Sequence, residues 1–320
     1  MHNLEEILDG VTTMAITGHR RPDGDAVGSA MGLYLYVLKH HPEITTDIYL
    51  EEPKPVFGHI DHIQDLRQRE RESTYVYDLF VTCDVSSYDM MSVGRTHFDH
   101  ARKRVCIDHH KSNTGFADIN HICGSIGSCA EVLYELMDPE KVDLSVATAI
   151  YTGIAHDTGV FQFAATTPRT LRIAADLIEK GVDFSRIIEE SFHQKTYVQN
   201  QVLGKILTES TLVMDRKMII GTMIREEMES YGITGQDMEG IVTQLRYTQG
   251  VEVSVLAYEL EKMKVKVSLR SKGNVDVGLV ASYFGGGGHK VAAGCDMKGS
   301  VADVISRIKE QVAVQMEGLG

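Results

Sequence analysis

The sequence lacks the features of several large protein classes. It has no uninterrupted apolar run of about 18 residues, and its N-terminus has no basic segment followed by an apolar one. Its five cysteines are Cys83, Cys106, Cys123, Cys129 and Cys295. None of them belongs to a Cys-x-x-Cys pair, so neither a zinc knuckle nor a disulfide framework is indicated. We therefore expect a cytoplasmic protein that does not associate with a membrane.

An excess of basic residues is also missing. The chain has 320 residues, and its 45 acidic side chains exceed its 32 basic ones, which gives a formal net charge of −13. Most of this negative charge falls before residue 200. Such a charge disfavours the binding of long nucleic acid through phosphate neutralisation. A hydrophobic content of 43% supplies enough apolar side chains for two domain cores, which excludes a disordered chain.

Strand and helix patterns alternate in the first part of the chain and predict an α/β fold. Buried strands are expected at 11–17, 75–82 and 105–107. Helices are expected at 26–39, 128–136, 144–155 and 168–180. We therefore predict an N-terminal domain over residues 1–190 that has a mainly parallel sheet flanked by helices.

The pattern changes after this domain. Residues 191–205 are polar and predict a helical linker. Residues 206–320 predict a smaller α+β domain with a mixed sheet. Its strands are expected at 218–224, 251–259 and 265–269, and its helices at 237–246, 276–284 and 301–315.

Polar side chains follow the first predicted strand. His19, Asp23 and Asp25 lie in a loop that Pro22 and Gly24 bend into a tight turn, so that three metal-ligating groups can point to one place. A surface turn with Asp25 as a helix N-cap is the alternative. That alternative does not explain why a histidine directly follows a strand.

Further acidic and imidazole groups come at the ends of later elements. Asp84 ends a buried apolar run, where its carboxylate needs a hydrogen bond, a cation or a role as a helix cap. Asp108, His109 and His110 follow the next strand, and Asp157 ends an apolar helix. Open α/β sheets bind ligands beyond the carboxyl ends of their strands, so we expect these groups to face one pocket.

The composition of these groups indicates the kind of ion. Aspartates in the majority, together with histidine, suit Mn²⁺ or Mg²⁺, whereas catalytic zinc more often has three ligands dominated by histidine or cysteine. Manganese tolerates imidazole better than magnesium does. Two such ions form the usual arrangement for hydrolysing phosphate esters. The sequence therefore predicts two divalent ions, with Mn²⁺ favoured over Mg²⁺.

A glycine-rich segment in the second part predicts an anion-binding loop. Four glycines at 285–288 remove every Cβ, so that backbone amides can approach a phosphate closely. Basic side chains occur nearby, and a flexible hairpin is the alternative for such a run. The expected substrate-binding residues are Arg270, Ser271, Lys272, Gly286, Gly287, Gly288 and His289.

Taken in order, these motifs resemble those of the DHH phosphoesterases, and among them the short two-domain proteins with a C-terminal DHH-associated domain. The matching segments are HRRPDGDAVGS from residue 19, CD at 83–84, DHH at 108–110, HDTG at 156–159 and GGGGHKVAAG at 285–294. Each motif is weak alone, but five in the family's order are specific. They span nearly the whole chain.

The resemblance implies the arrangement of the site. One ion would be held by His19, Asp23 and Asp84, and the other by Asp25, Asp84, His109 and Asp157. A water shared between the ions would be the nucleophile. Asp108 would orient His109, and His110 would lie beside the scissile phosphate. The expected catalytic residues are thus Asp84, Asp108, His109 and His110. The active site would lie in the cleft between the two domains.

The resemblance also implies an activity. We expect a Mn²⁺-dependent hydrolase that cleaves short oligoribonucleotides and linear dinucleotides such as pApA or pGpG to mononucleotides, and that converts 3′-phosphoadenosine 5′-phosphate (pAp) to AMP. The acidic charge fits such short substrates and not long nucleic acid. Alternatives are a dinucleotide phosphodiesterase in signalling and a non-catalytic nucleotide-binding module. The second is disfavoured because all six candidate ligands are present. The resemblance further implies a homodimer.

Overall fold

The computed structural model describes residues 3–67, 70–91 and 93–317. The chain divides into two compact units, Met1–Gln194 and Lys195–Gly320. Each unit has its own sheet and its own hydrophobic core. Within the described ranges, no helix is both long enough and apolar enough to cross a membrane.

The first unit contains a sheet of five parallel strands with helices packed against it. Its elements are α1 (Leu4–Leu8), β1 (Thr13–Thr17), α2 (Gly24–His40), β2 (Thr45–Tyr49), β3 (Leu79–Cys83), α3 (Arg95–His100), β4 (Lys103–Asp108), β5 (Ile119–Ile122), α4 (Cys129–Leu136), α5 (Leu144–Asp157), α6 (Pro168–Glu179) and α7 (Phe184–Ile188). The strand order is β2-β1-β3-β4-β5. Because all strands run in one direction, their carboxyl ends share one edge of the sheet.

The three strands expected from apolar runs correspond to β1, β3 and β4, which lie in the centre of this sheet. All five residues of β3 are buried, as continuous apolar runs in parallel sheets usually are. The two edge strands, β2 and β5, were not expected from the sequence, and exposed positions interrupt their burial. The predicted α/β fold with a mainly parallel sheet is confirmed.

Helices α2 and α5 approach each other unusually closely beside the sheet. A Cβ atom added to Gly28 of α2 would lie 2.5 Å from the carbonyl oxygen of Ala149 and 2.6 Å from the nitrogen of Gly153, both on α5. Only glycine therefore fits at this crossing. The contact brings the first residues of α2 next to the last residues of α5.

The second unit is built on a six-stranded mixed sheet, which confirms the predicted α+β architecture. Its elements are α8 (Tyr197–Glu209), β6 (Thr211–Val213), β7 (Met218–Met223), α9 (Arg225–Tyr231), α10 (Ile241–Arg246), β8 (Val253–Glu261), β9 (Lys264–Ser271), α11 (Val277–Tyr283), β10 (Gly287–His289), β11 (Ala292–Lys298) and α12 (Val301–Glu317). The order is β10-β11-β9-β8-β7-β6, in which only β7 and β8 pair in parallel.

Two segments differ in detail from the sequence-based expectation. The helix expected at 237–246 is shorter, because residues Gly235–Met238 form a 3-10 turn that a Thr234–Asp237 capping box begins, and α10 starts only at Ile241. The residues expected as a linker, 191–205, include the start of α8. Val202 and Ile206 of α8 are buried in a core cluster of the second unit.

Candidate metal centre

Polar residues gather where β1, β3 and β4 end. His19 follows β1, Asp84 follows β3, and Asp108 is the last residue of β4. The close crossing of α2 and α5 adds Asp25 and Asp157 to the same place. This is the edge of an open parallel sheet at which ligands usually bind.

The first cluster is formed by His19, Asp23 and Asp84. Nε2 of His19 lies 3.5 Å from Oδ1 of Asp23 and 3.4 Å from Oδ2 of Asp84. Asp23 is the N-cap of α2, where its side chain accepts hydrogen bonds from the amides of Asp25 and Ala26. Nδ1 of His19 lies 2.8 Å from the carbonyl oxygen of Arg20, which orients the ring so that Nε2 faces the carboxylates.

The second cluster is formed by Asp25, His109 and Asp157. Nε2 of His109 lies 3.1 Å from Oδ2 of Asp157, 3.8 Å from Oδ2 of Asp25 and 3.5 Å from Oδ1 of Asp84. In each cluster one ligand atom per residue lies within 4.8 Å of the others. The structure thus brings together all six residues expected as metal ligands, with Asp84 between the two clusters.

Asp84 provides the test of whether a cation fits. It is 2% exposed, and its Oδ1 has no hydrogen-bond partner among the described residues. A buried carboxylate oxygen that accepts no hydrogen bond costs free energy that a bound cation would offset. Asp84 also has a left-handed φ of +58°, and its amide donates to the carbonyl oxygen of Ile107 at 3.0 Å, which fixes the turn after β3. Divalent cations therefore fit these residues.

Asp25 is held from its other side by a helix N-terminus. Its Oδ2 accepts a hydrogen bond of 2.6 Å from the amide of Cys129, and its Oδ1 one of 3.0 Å from the amide of Ala130. These are the first residues of α4, where free amides and the helix dipole favour a negative charge. Sequence reasoning missed this contact, because Ser128 is recognisable as a helix cap but nothing in the sequence relates it to Asp25.

The electrostatics of the metal-free protein are those of a crowded anionic site. Burial, followed by the charges of neighbouring aspartates, raises the pKa of Asp25. Burial lowers the pKa of His19 and of His109, but nearby carboxylates outweigh it and raise these pKa values to about 11 and about 12. Both imidazoles therefore carry protons at neutral pH. Without metal ions, these protons balance the negative charge of the carboxylates, as bound cations would.

His110 is oriented by Asp108, which corrects one expectation. Nδ1 of His110 lies 2.8 Å from Oδ1 of Asp108, while Asn113 donates to Oδ2 of the same carboxylate at 2.7 Å. The expectation that Asp108 orients His109 is wrong, because Asp108 bonds to the neighbouring His110 and Nδ1 of His109 lies instead 3.4 Å from the carbonyl oxygen of Ile126. The hydrogen bond with Asp108 raises the pKa of His110. Sequence reasoning did not identify Asn113, although it lies in the same segment.

The expected substrate-binding residues lie at one end of the second sheet. Arg270 and Ser271 end β9, Lys272 follows them, and the glycine run leads into the β10–β11 hairpin with His289. Ser271 is buried and Lys272 and His289 are exposed. Close packing also requires glycine here: a Cβ at Gly286 would lie 2.2 Å from the carbonyl oxygen of Gly294.

Histidine and aspartate side chains clustered beyond the strand ends of a parallel α/β sheet are an arrangement that a metal-dependent hydrolase can use. The model of the DHH family, N-terminal domain, matches residues 13–154, and that of the DHHA1 domain matches residues 215–314. The chain belongs to the DHH family and is an enzyme of the DHH phosphoesterase type.

Individual relatives agree with this assignment. The chain is 31% identical to a Thermus thermophilus protein named bifunctional oligoribonuclease and PAP phosphatase NrnA, in an alignment that covers all of this chain and 95% of the relative. It is 28% identical to the Bacillus subtilis protein of the same name, over 89% of each chain. The crystal structure of an exopolyphosphatase-related protein from Bacteroides fragilis has the same fold, with a TM-score of 0.87, 21% identity and coverage of 96% and 93%.

Proposed function

We propose that the protein hydrolyses very short phosphorylated nucleotides, both short oligoribonucleotides or linear dinucleotides to mononucleotides and pAp to AMP, with two bound Mn²⁺ ions. The observation that carries this proposal is the pair of ligand clusters around the buried Asp84. The names of the Thermus thermophilus and Bacillus subtilis relatives support the substrate class.

The roles of the residues follow from their positions. His19, Asp23 and Asp84 would hold one ion, and Asp25, His109 and Asp157 the other together with Asp84. Bound divalent ions supply positive charge for phosphate oxygens and lower the pKa of water. The amides of α4 would hold the Asp25 carboxylate in place both with and without bound ions.

His110 is the group proposed to contact the scissile phosphate or its leaving oxygen. Its Nδ1 is engaged by Asp108, so its Nε2 is the nitrogen left for substrate. Because Asp108 raises the pKa of His110, the imidazole more readily carries the proton that a leaving oxygen requires. Asn113 holds Asp108 in the orientation that this role needs.

The distribution of charge supports a limit on substrate length. The acidic side chains are concentrated before residue 200, whereas the glycine hairpin of the second unit is accompanied by Arg270, Lys272 and Lys290. A substrate of a few nucleotides needs only such a local group of cations. A long polymer would also meet the acidic surface.

The test is Mn²⁺-dependent release of mononucleotides by the purified full-length protein. The substrates are pAp, pApA, pGpG, cyclic di-AMP and RNA of two to about seven nucleotides, compared by kcat/KM with Mn²⁺, with Mg²⁺ and with chelator. We expect the shortest linear substrates to be preferred, and Mn²⁺ to support the higher rate. No release of AMP from pAp or pApA would refute the proposal. Light scattering of the same sample tests the homodimer.

A further inference from the structure

A second arginine lies beside Arg270 in the second unit. Arg246 is in the last turn of α10, and its Nη1 donates to the carbonyl oxygen of Ser271 at 3.5 Å. Ser271 follows Arg270 on β9, and Arg270 is directly opposite Ser254 of β8. The hydroxyl of Ser254 donates to the carbonyl oxygen of Val242 on α10, which places this helix over the same face of the sheet.

The two guanidinium groups have few partners in the described part of the second unit, and Glu239 contributes a carboxylate charge that acts on Arg270. Arg270 donates only to the carbonyl oxygen of Leu269, at 2.9 Å. Nε of Arg246 is buried and has no hydrogen-bond partner, while the guanidinium lies over the ring of Tyr247 at 5.5 Å. Burial, followed by the charge of Arg246, lowers the pKa of Arg270. Together with the carboxylate of Glu239, the two partly buried guanidinium groups keep a net positive charge, which a bound anion would balance.

The face of the sheet beside Arg270 is partly exposed, since Ala292 and Gly294 are half-buried and His289 is exposed. Across the strands, Arg270 pairs with Ala292, and Ala292 pairs with His289, so the three residues share one face. Adjacent strands are about 4.8 Å apart, which separates the Arg270 and His289 backbones by roughly 10 Å. Ala292 and Gly294 form the floor between them and present almost no side chain. We call this surface, formed by Arg246, Arg270, His289, Ala292 and Gly294, the cradle.

We propose that Arg246 is a further substrate-binding residue, and that Arg246 and Arg270 together bind a terminal phosphate monoester of the nucleotide. This inference rests on the proposed function, since it takes a nucleotide as the substrate. A guanidinium presents several N–H donors in a planar fork that matches phosphate oxygens. Two guanidinium groups suit the double negative charge of a phosphate monoester. The cradle therefore distinguishes a nucleotide that ends in a phosphate from one that ends in a hydroxyl group.

Equilibrium binding tests the inference without catalysis. With divalent cations chelated, the affinities for AMP and adenosine are measured by calorimetry for the wild type, Arg246→Gln and Arg246→Lys. We expect the wild type to prefer AMP, Arg246→Gln to lose at least about tenfold in AMP affinity with adenosine affinity unchanged, and Arg246→Lys to lie between them. The control is Arg225→Gln, which removes an exposed arginine from α9. Thermal unfolding verifies that each variant is folded.

Hydrolysis separates this inference from the proposed function. With Mn²⁺, Arg246→Gln should lower kcat/KM for pApA at least about tenfold, mainly through KM, and that for ApA less than about threefold. Equal losses on both substrates, or unchanged AMP binding, would overturn the role of Arg246. A wild type that binds AMP through Arg246 but hydrolyses neither substrate would instead refute the proposed function alone.

Discussion

Oδ1 of the buried Asp84 lies 3.5 Å from Nε2 of His109 and accepts no hydrogen bond from the described residues. The other oxygen of this carboxylate lies 3.4 Å from Nε2 of His19. One side chain at the end of β3 therefore contacts a residue of each cluster. If the clusters hold two ions, Asp84 is the residue that both would share.

The first prediction concerns Asp84 itself. Asp84→Asn keeps the shape of the side chain and removes the charge that both clusters use. We expect hydrolysis of pApA to fall by more than about a hundredfold, since even residues behind the ligands of a metal typically contribute 10- to 100-fold. Metal content after dialysis, measured by mass spectrometry, should fall with it. The control is Asp176→Asn, which changes an exposed carboxylate on α6. Full activity of Asp84→Asn would contradict the shared-ligand role.

The second prediction is that metal binding releases protons. The pKa values of about 11 for His19 and about 12 for His109 mean that both imidazoles are protonated in the metal-free protein at neutral pH. A nitrogen that binds a cation must first lose its proton. The apparent affinity for Mn²⁺ should therefore rise from about pH 6 to about pH 9.

Calorimetric titration in two buffers of different ionisation enthalpy measures this release. His109→Asn should release fewer protons than the wild type, whereas the exposed His100→Gln should not differ from it. An affinity for Mn²⁺ that is independent of pH would show that the two imidazoles are not ligands.

The third prediction concerns the support of His110. Asp108→Asn removes the carboxylate that raises the pKa of His110, so this pKa should fall. The protonated form is then lost at lower pH, and the alkaline limb of the pH–rate profile should shift to lower pH. We expect a 10- to 100-fold loss of kcat with Mn²⁺ content unchanged. A uniform loss at every pH, without a shift, would indicate that Asp108 only maintains the fold.

Much of the site could be predicted from the sequence, because several of its residues lie at the ends of strands. β1, β3 and β4 contain short buried apolar runs, and His19, Asp84 and Asp108 come at or just after the ends of these strands. The resemblance to a known family then related these segments to one another. Both the central sheet and the positions of the candidate ligands follow from this information.

The remaining features depend on contacts between residues far apart in the chain. The α4 amides that hold Asp25 lie more than a hundred positions away from it, and no local pattern relates the two. Which of two adjacent histidines bonds to Asp108 depends on the turn after β4, where alternation of side chains no longer applies. Arg246 reaches Ser271 only because α10 packs over β8 and β9.

The last prediction tests whether the helix crossing positions the ligands. In Gly28→Ala, the new methyl group would lie 2.5 Å from the carbonyl oxygen of Ala149, so α2 and α5 must move apart. These helices carry Asp25 and Asp157. Overpacking of this kind costs about 1–3 kcal/mol in the free energy of unfolding. We expect that loss in urea unfolding of the metal-free protein, together with weaker binding of Mn²⁺.

Gly204→Ala is the matched control, because Gly204 also lies within a helix but a Cβ there meets no atom within 4 Å. This substitution should be neutral or stabilise the protein by up to about 1 kcal/mol, since alanine loses less backbone entropy on folding than glycine. Binding of Mn²⁺ should then equal that of the wild type. If Gly28→Ala instead lost stability but bound Mn²⁺ normally, the crossing would support the fold without setting the distance between Asp25 and Asp157.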